Sequence, residues 1–169
     1  MLITALLRDR AAHKRLIVAI HEAGHIAVAL HFRFQLKSAT LSPDDPRLEG
    51  LTGFVDEMIE TAERSNQYLL AVLAGLAANG LWTPDIDLAS AVDSDLKLAH
   101  KIVSHFGDYT PAQAQAYVKR QTDAAFELFR SHEWLRNATL AIADELYGSD
   151  GQVQGWQLAE LFNQYRPRP

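Results

Sequence analysis

Between positions 20 and 26 the chain reads Ile-His-Glu-Ala-Gly-His-Ile, which sets His21 and His25 four residues apart with Glu22 directly after the first. On a helix that spacing stacks both imidazoles on one face, so they can reach a single ion. Glu22 lies on the neighbouring edge of that face, where it can take a proton from a water on the metal without ligating the metal itself. Zinc suits two imidazoles and a carboxylate with one position left for water, and it draws the pKa of that water to about 7. Three fixed positions in five recur by chance, and a histidine pair on a helix is more often surface decoration than a ligand set. Here Ile20, Ala23, Gly24 and Ile26 surround the motif with apolar or small side chains, which a solvated face does not carry. Gly24 has a use of its own, because a residue without a side chain lets a neighbouring element come close to the metal face.

The elements that must position these residues read as mainly helix. Apolar positions from Leu16 to Leu30 follow a helical period and predict a helix over about Ala11–Phe34. Leu36–Leu41 and Leu51–Val55 flank the turn-rich stretch Ser42-Pro43-Asp44-Asp45-Pro46, and the simplest account is two short strands joined by a loop. A second helix is expected over Ala62–Trp82, then a break over Thr83–Ser94 around Pro84 and three aspartates. Ser94 is a suitable N-cap for a helix over Asp95–Phe106, which Gly107 stops. Thr110-Pro111 is a start signal for a long helix reaching about Ser131. Further helices are expected over Glu133–Tyr147 and Trp156–Tyr165, separated by a turn at Gly148–Gly151. Trp82, Trp134 and Trp156 fall at helix ends and read as structural rings closing off a core. With no repeat or linker in view, residues 1–169 read as one domain.

Composition narrows the chemistry. The 169 residues are 48% hydrophobic and 22% charged, an ordinary globular balance. The formal net charge is −5 and basic residues are scattered singly, which argues against a nucleic-acid partner. There is no cysteine, so disulfides, thiolate catalysis and sulfur-rich zinc sites are excluded. Any metal must be held by His, Asp or Glu. The apolar run Met1–Leu7 meets Arg8 and Arg10 at once and is too short for a signal-peptide core. Tyr68–Trp82 is apolar over 15 residues but contains Gly75, Asn79 and Gly80, whereas a membrane span needs about twenty. A buried core helix, no membrane span and a cytoplasmic address are therefore expected.

Ile20–Ala29 resembles the zinc-binding helix of the FtsH family of ATP-dependent metalloproteases. Leu73-Ala74-Gly75-Leu76-Ala77-Ala78 is similar to that family's Ala-Gly-Arg-Ala-Ala helix, and Asp93-Ser94-Asp95-Leu96-Lys97-Leu98-Ala99 resembles its Asn-Asp-Leu-x-x-Ala segment. Leu140–Leu146, followed by a turn and Trp156-Gln157-Leu158, resembles its closing helix pair. The likeness runs from about Ala11 to Phe162. It implies a helical zinc-metallopeptidase domain in which Asp95 is the third zinc ligand beside His21 and His25, with a short two-stranded element near the active-site helix. It also implies self-association into rings of six. Asp85, Asp87 and Asp93 crowd the approach to Asp95 and read as loop solvation, with Asp93 the reserve ligand. His100 and His105 are not spaced to join the metal, and His13, His31 and His132 read as surface or packing residues.

The sequence departs from the family in two places. No glycine-rich phosphate loop followed by Lys-Ser or Lys-Thr occurs, so the expected unit is a peptidase without its ATPase. Such a unit acts on peptides, flexible termini or unfolded chains, or works with an ATPase supplied by a separate protein. The acidic pair that usually follows Ala-Ala is here Asn79-Gly80, so a carboxylate that would orient a zinc-bound histidine is missing. Two readings follow: a zinc endopeptidase with Glu22 as general base, or a weakly active or inactive metal-binding scaffold that kept the fold. Retention of Glu22 beside both histidines favours the enzyme, because a closed structural site has no need of that carboxylate.

Overall fold

The computed structural model describes residues 10–41, 50–54, 61–84, 89–149 and 152–168. The run Met1–Leu7, the turn Ser42–Pro46, the strand end at Val55, and Asp85 and Asp87 lie outside the described residues. The chain is mainly helical with a short antiparallel sheet, in the order α1 (Arg10–His31), β1 (Leu36–Leu41), β2 (Gly50–Phe54), α2 (Ala62–Trp82), α3 (Ala89–Phe106), α4 (Pro111–Ser131), α5 (Glu133–Gly148), β3 (Gln152–Gln154) and α6 (Gly155–Tyr165).

Helix α1 runs through the middle of the molecule, and every residue from Leu16 to Ala29 is buried. Its end is a Schellman turn, with Phe34 N–H donating to Ala29 O and Arg33 N–H to Leu30 O. Arg33 holds the left-handed position at φ 62° that glycine usually fills. Arg64 of α2 completes the cap. Its Nη1 donates to Phe32 O at 2.6 Å, and its guanidinium lies 3.5 Å from the Phe34 ring centre. The end of the helix that carries the histidines is thus tied to the start of α2.

Helix α2 begins at Thr61, whose hydroxyl accepts from Arg64 N–H, and packs along α1. The small residues of both helices meet at their crossing. A Cβ on Gly24 would stand 2.6 Å from Ala74 O and 2.8 Å from Ala78 Cβ, so only glycine permits this approach. Helix α4 opens with a capping box between Thr110 and Gln113 and with Pro111 in its first turn, as its start signal predicts. One hydrophobic cluster joins α1, β1, α2, α3, α4, α5, β3 and α6. Trp82 packs edge-on against Phe129 and Trp134 against Phe162, with ring centres 5.7 and 5.5 Å apart.

The sheet order is β2-β1-β3, all antiparallel. The predicted pair β1–β2 is present, with a bulge between Leu36 and Ser38, and β2 lies on the outside of the sheet. The third strand was not foreseeable. Gln152–Gln154 is too short to show a period of two, and it becomes a strand only by pairing Val153 with Ala39.

Two further expectations are corrected. Helix α3 starts at Ala89, so Ser94 does not cap it and Asp95 lies in its second turn rather than opening it. Ala89-Ser90-Ala91-Val92 contains no glycine or proline to prevent the helix from starting early. Trp156 closes no core, since it is 66% exposed. Helix α6 buries Leu158 and Phe162, which share one face, and Trp156 lies on the other side.

Candidate metal centre

The two motif histidines are interior groups. His21, Glu22 and His25 are only 4, 6 and 8% exposed, which removes surface decoration as an account of the motif. The imidazoles sit four residues apart on α1, edge to face, and their Nε2 atoms approach to 3.1 Å. His25 Nδ1–H donates to the Ala71 carbonyl at 2.9 Å. A carbonyl only accepts, so this bond fixes one proton on Nδ1, and in the neutral ring it leaves the lone pair on Nε2 towards the cluster. His21 Nδ1 lies 2.9 Å from the side-chain amide of Asn79. That amide can serve either tautomer: Nδ2 donates to a bare Nδ1, and after half a turn Oδ1 accepts from Nδ1–H. Metal at Nε2 requires the second arrangement.

Helix α3 brings Asp95 to the same point. Its Oδ2 is 3.1 Å from His21 Nε2 and 3.3 Å from His25 Nε2, so three donor atoms from two helices form a nearly equilateral triangle. Asp93, the reserve candidate, is not brought there. Its side chain is 61% exposed and paired with Lys97 one turn on, at 2.5 Å. Asp95 and Asp93 are two residues apart on a helix and therefore point to different sides. Glu22 stands beside the triangle, with one carboxylate oxygen within 4.8 Å of a ring nitrogen of each histidine. Its Oε2 is engaged by the Thr52 hydroxyl of β2, which donates to it at 2.6 Å.

The donor set fits zinc on four counts. Ligands on a tetrahedral zinc at 2.0–2.1 Å stand about 3.3–3.4 Å from one another, close to the separations seen here. Oδ2 of Asp95 is buried against the Nε2 atoms of both histidines, so a carboxylate oxygen and two imidazole nitrogens are aimed at one point. Gly75 of α2 lies under the rings, and a Cβ there would come within 2.5 Å of Cε1 and Nε2 of His25 and 2.8 Å of Cε1 of His21. The site is a cradle that a side chain would fill. With neutral imidazoles, Glu22 and Asp95 give the group a charge of −2, which a divalent cation balances.

A proton competes for the same place. Burial opposes charge on His25, but Asp95 and Glu22, with the Ala71 carbonyl, outweigh it and raise its pKa to about 9. Burial likewise opposes charge on Asp95, and the two histidines overcome it, lowering the carboxyl to about 2. None of the other described histidine side chains joins this cluster, and the side chain of His13 lies outside the described residues. His31 packs with His132 and Trp134, and burial lowers its pKa with help from His132 and Arg166. His105 is exposed and packs edge-on against Phe106.

Sequence reasoning named Asn79 only as a departure, whereas the structure puts its amide on the histidine that a carboxylate would have oriented. Thr52 carried no signal, being a polar residue in a short strand. Compared with known proteins, the chain matches no family model and no curated sequence.

Proposed function

We propose that this protein is a zinc-dependent endopeptidase acting on unfolded or flexible peptide segments. The observation that carries the reading is the triangle of His21 Nε2, His25 Nε2 and Asp95 Oδ2, 3.1–3.3 Å on a side, with the buried Glu22 carboxylate beside it. His21, His25 and Asp95 are the residues that would hold the ion. Zinc held there supplies a polarised carbonyl and a water of lowered pKa. Glu22 accepts the proton of the attacking water and returns it to the leaving amine nitrogen, so one carboxylate serves as base and then acid. Low exposure of Glu22 and both histidines keeps bulk water from weakening these interactions.

Substrate binding follows from the sheet. Strand β2 is an outer strand of the sheet among the described residues, and Thr52 at its centre touches Glu22, so an extended peptide paired along β2 lies next to the base. The reading also includes the cytoplasmic address expected from the sequence, and a separate ATPase and a ring of six, which rest on the resemblance. A zinc-loaded chain that sediments as a monomer at all concentrations counts against the ring. No helix of the described residues is long and apolar enough to cross a membrane.

One observation favours a second reading, a metal-binding scaffold with little chemistry. Asn79 gives His21 a neutral amide partner, which makes the imidazole a weaker donor than a carboxylate would. Glu22→Gln separates the two. The peptidase reading expects turnover of an unstructured peptide to fall at least about 100-fold with one zinc per chain retained. Unchanged turnover or function in that variant establishes the scaffold.

A further inference from the structure

We infer that Thr52 is a positioning residue that holds the general base from the substrate strand; the inference rests on the peptidase reading above. Glu22 is a buried carboxylate, and a buried charge needs hydrogen bonds to replace its lost hydration. Among the described residues, the side-chain hydrogen bond it receives is the one from Thr52 Oγ1 to Oε2, at 2.6 Å, a length typical of a hydroxyl on an ionised carboxylate. The contact joins residues 30 apart in sequence and two different elements, so the tertiary structure builds it and the helix alone does not.

The bond divides the work between the two carboxylate oxygens. Oε2 is anchored, which fixes the last torsion of the side chain, a broad and soft one when free. Oε1 is left to take the proton of the attacking water. Anchoring matters because a proton acceptor must lie within hydrogen-bond reach of the proton it removes, and misplacement by about 1 Å can cost about 100-fold. The anchor's location adds a coupling. Thr52 lies mid-strand in β2, paired with Ala39 of β1, and β2 is the edge on which a peptide would add. A substrate that stiffens β2 therefore stiffens the hold on Glu22, so part of its binding energy appears in kcat rather than KM.

The test compares Thr52→Val, which keeps the shape and removes the hydroxyl, with Thr52→Ser, which keeps the hydroxyl. Both are made in the full chain loaded with zinc. The expected result is a 10- to 100-fold lower kcat for Thr52→Val on a quenched unstructured peptide, with KM and zinc content unchanged, and recovery to within about threefold in Thr52→Ser. A merely structural role moves thermal stability without that split, and Thr52→Val with parental kcat overturns the proposal while leaving the peptidase reading intact. A second readout needs no turnover: the melting temperatures of Thr52→Val, Glu22→Gln and the double variant. Non-additive shifts report the contact, and additive shifts overturn it. A zinc-loaded parent that cleaves nothing overturns the peptidase reading and with it the positioning role, even where non-additive shifts show the contact itself to be real.

Discussion

The two acidic residues of Asp93-Ser94-Asp95 have opposite fates. Asp95 turns inward to both histidines, whereas Asp93 turns to solvent and pairs with Lys97. An exposed i,i+4 pair contributes only about 0.3–0.5 kcal/mol, so losing Asp93 is nearly silent. Asp95→Ala is expected to weaken zinc binding by more than the roughly 10- to 100-fold typical of losing an outer partner, and Asp93→Ala to leave it unchanged. Competition with a zinc chelator measures both, and the reverse order moves the third ligand to Asp93. Asn79 belongs at this scale too. Its amide satisfies His21 in either tautomer, which a carboxylate cannot do, since a carboxylate only accepts.

At the scale of elements, the site depends on how closely α1 and α2 approach. Gly24 lets the helices touch, and Gly75 leaves room for the imidazole rings. Neither glycine needs unusual backbone angles, because no glycine among the described residues has positive φ. Their value lies in what a Cβ would strike. Gly75→Ala is expected to lower zinc affinity at least about tenfold and to destabilise the fold by about 1–3 kcal/mol, the usual range for overpacking a core. Gly148→Ala is the control, because nothing lies within 4 Å of a Cβ built there. Parental zinc affinity in Gly75→Ala would show that α2 can draw back from the rings without loss. The helix ends serve the same geometry, with Arg64 of α2 closing the Schellman turn of α1 and setting one helix against the other.

For the whole molecule, a metal at the proposed site would compete with protons at one buried point, so stability and metal affinity would depend on pH in opposite senses. His25 is raised from 6.5 to about 9, and the stability it contributes is complete below 6.5 and lost as pH rises through about 9. Asp95 is lowered from 3.8 to about 2, and its contribution is present above 3.8 and lost as pH falls through about 2. His31, lowered from 6.5, costs stability as pH falls below 6.5, because its unfolded form takes the proton more readily. Without metal, the His25–Asp95 pair therefore contributes fully between about pH 4 and 6.5 and fades towards pH 9. On the zinc reading, the ion has to displace the His25 proton. At pH 7 binding is expected to release about one proton per ion, and affinity to rise with pH up to about 9. Calorimetry in buffers of different ionisation enthalpy counts the protons. A binding heat independent of buffer means that His25 is already neutral.

How much of this was legible beforehand depends on the range of the interactions. His21, Glu22 and His25 are set by local spacing on one helix, as are the bounds of α2 and the capping box that opens α4, so the order of residues by itself determined them. A mainly helical chain with β1 and β2 following the motif helix was legible from hydrophobic period and turn residues, and the absence of cysteine restricted any metal to His, Asp and Glu. The early start of α3, the strand β3 and the exposure of Trp156 were hidden because each depends on a partner distant in sequence or on which helix face meets the core. The same holds at the centre of the site. Asp95 and Asp93 are equivalent by composition and differ only by the rotation of α3 against α1. Thr52 and Asn79 carry no mark of their own, and they reach Glu22 and His21 because β2 and α2 pack on either side of the buried helix. Local spacing named the groups that can do the chemistry, and long-range packing chose which carboxylate faces them and what holds them in place.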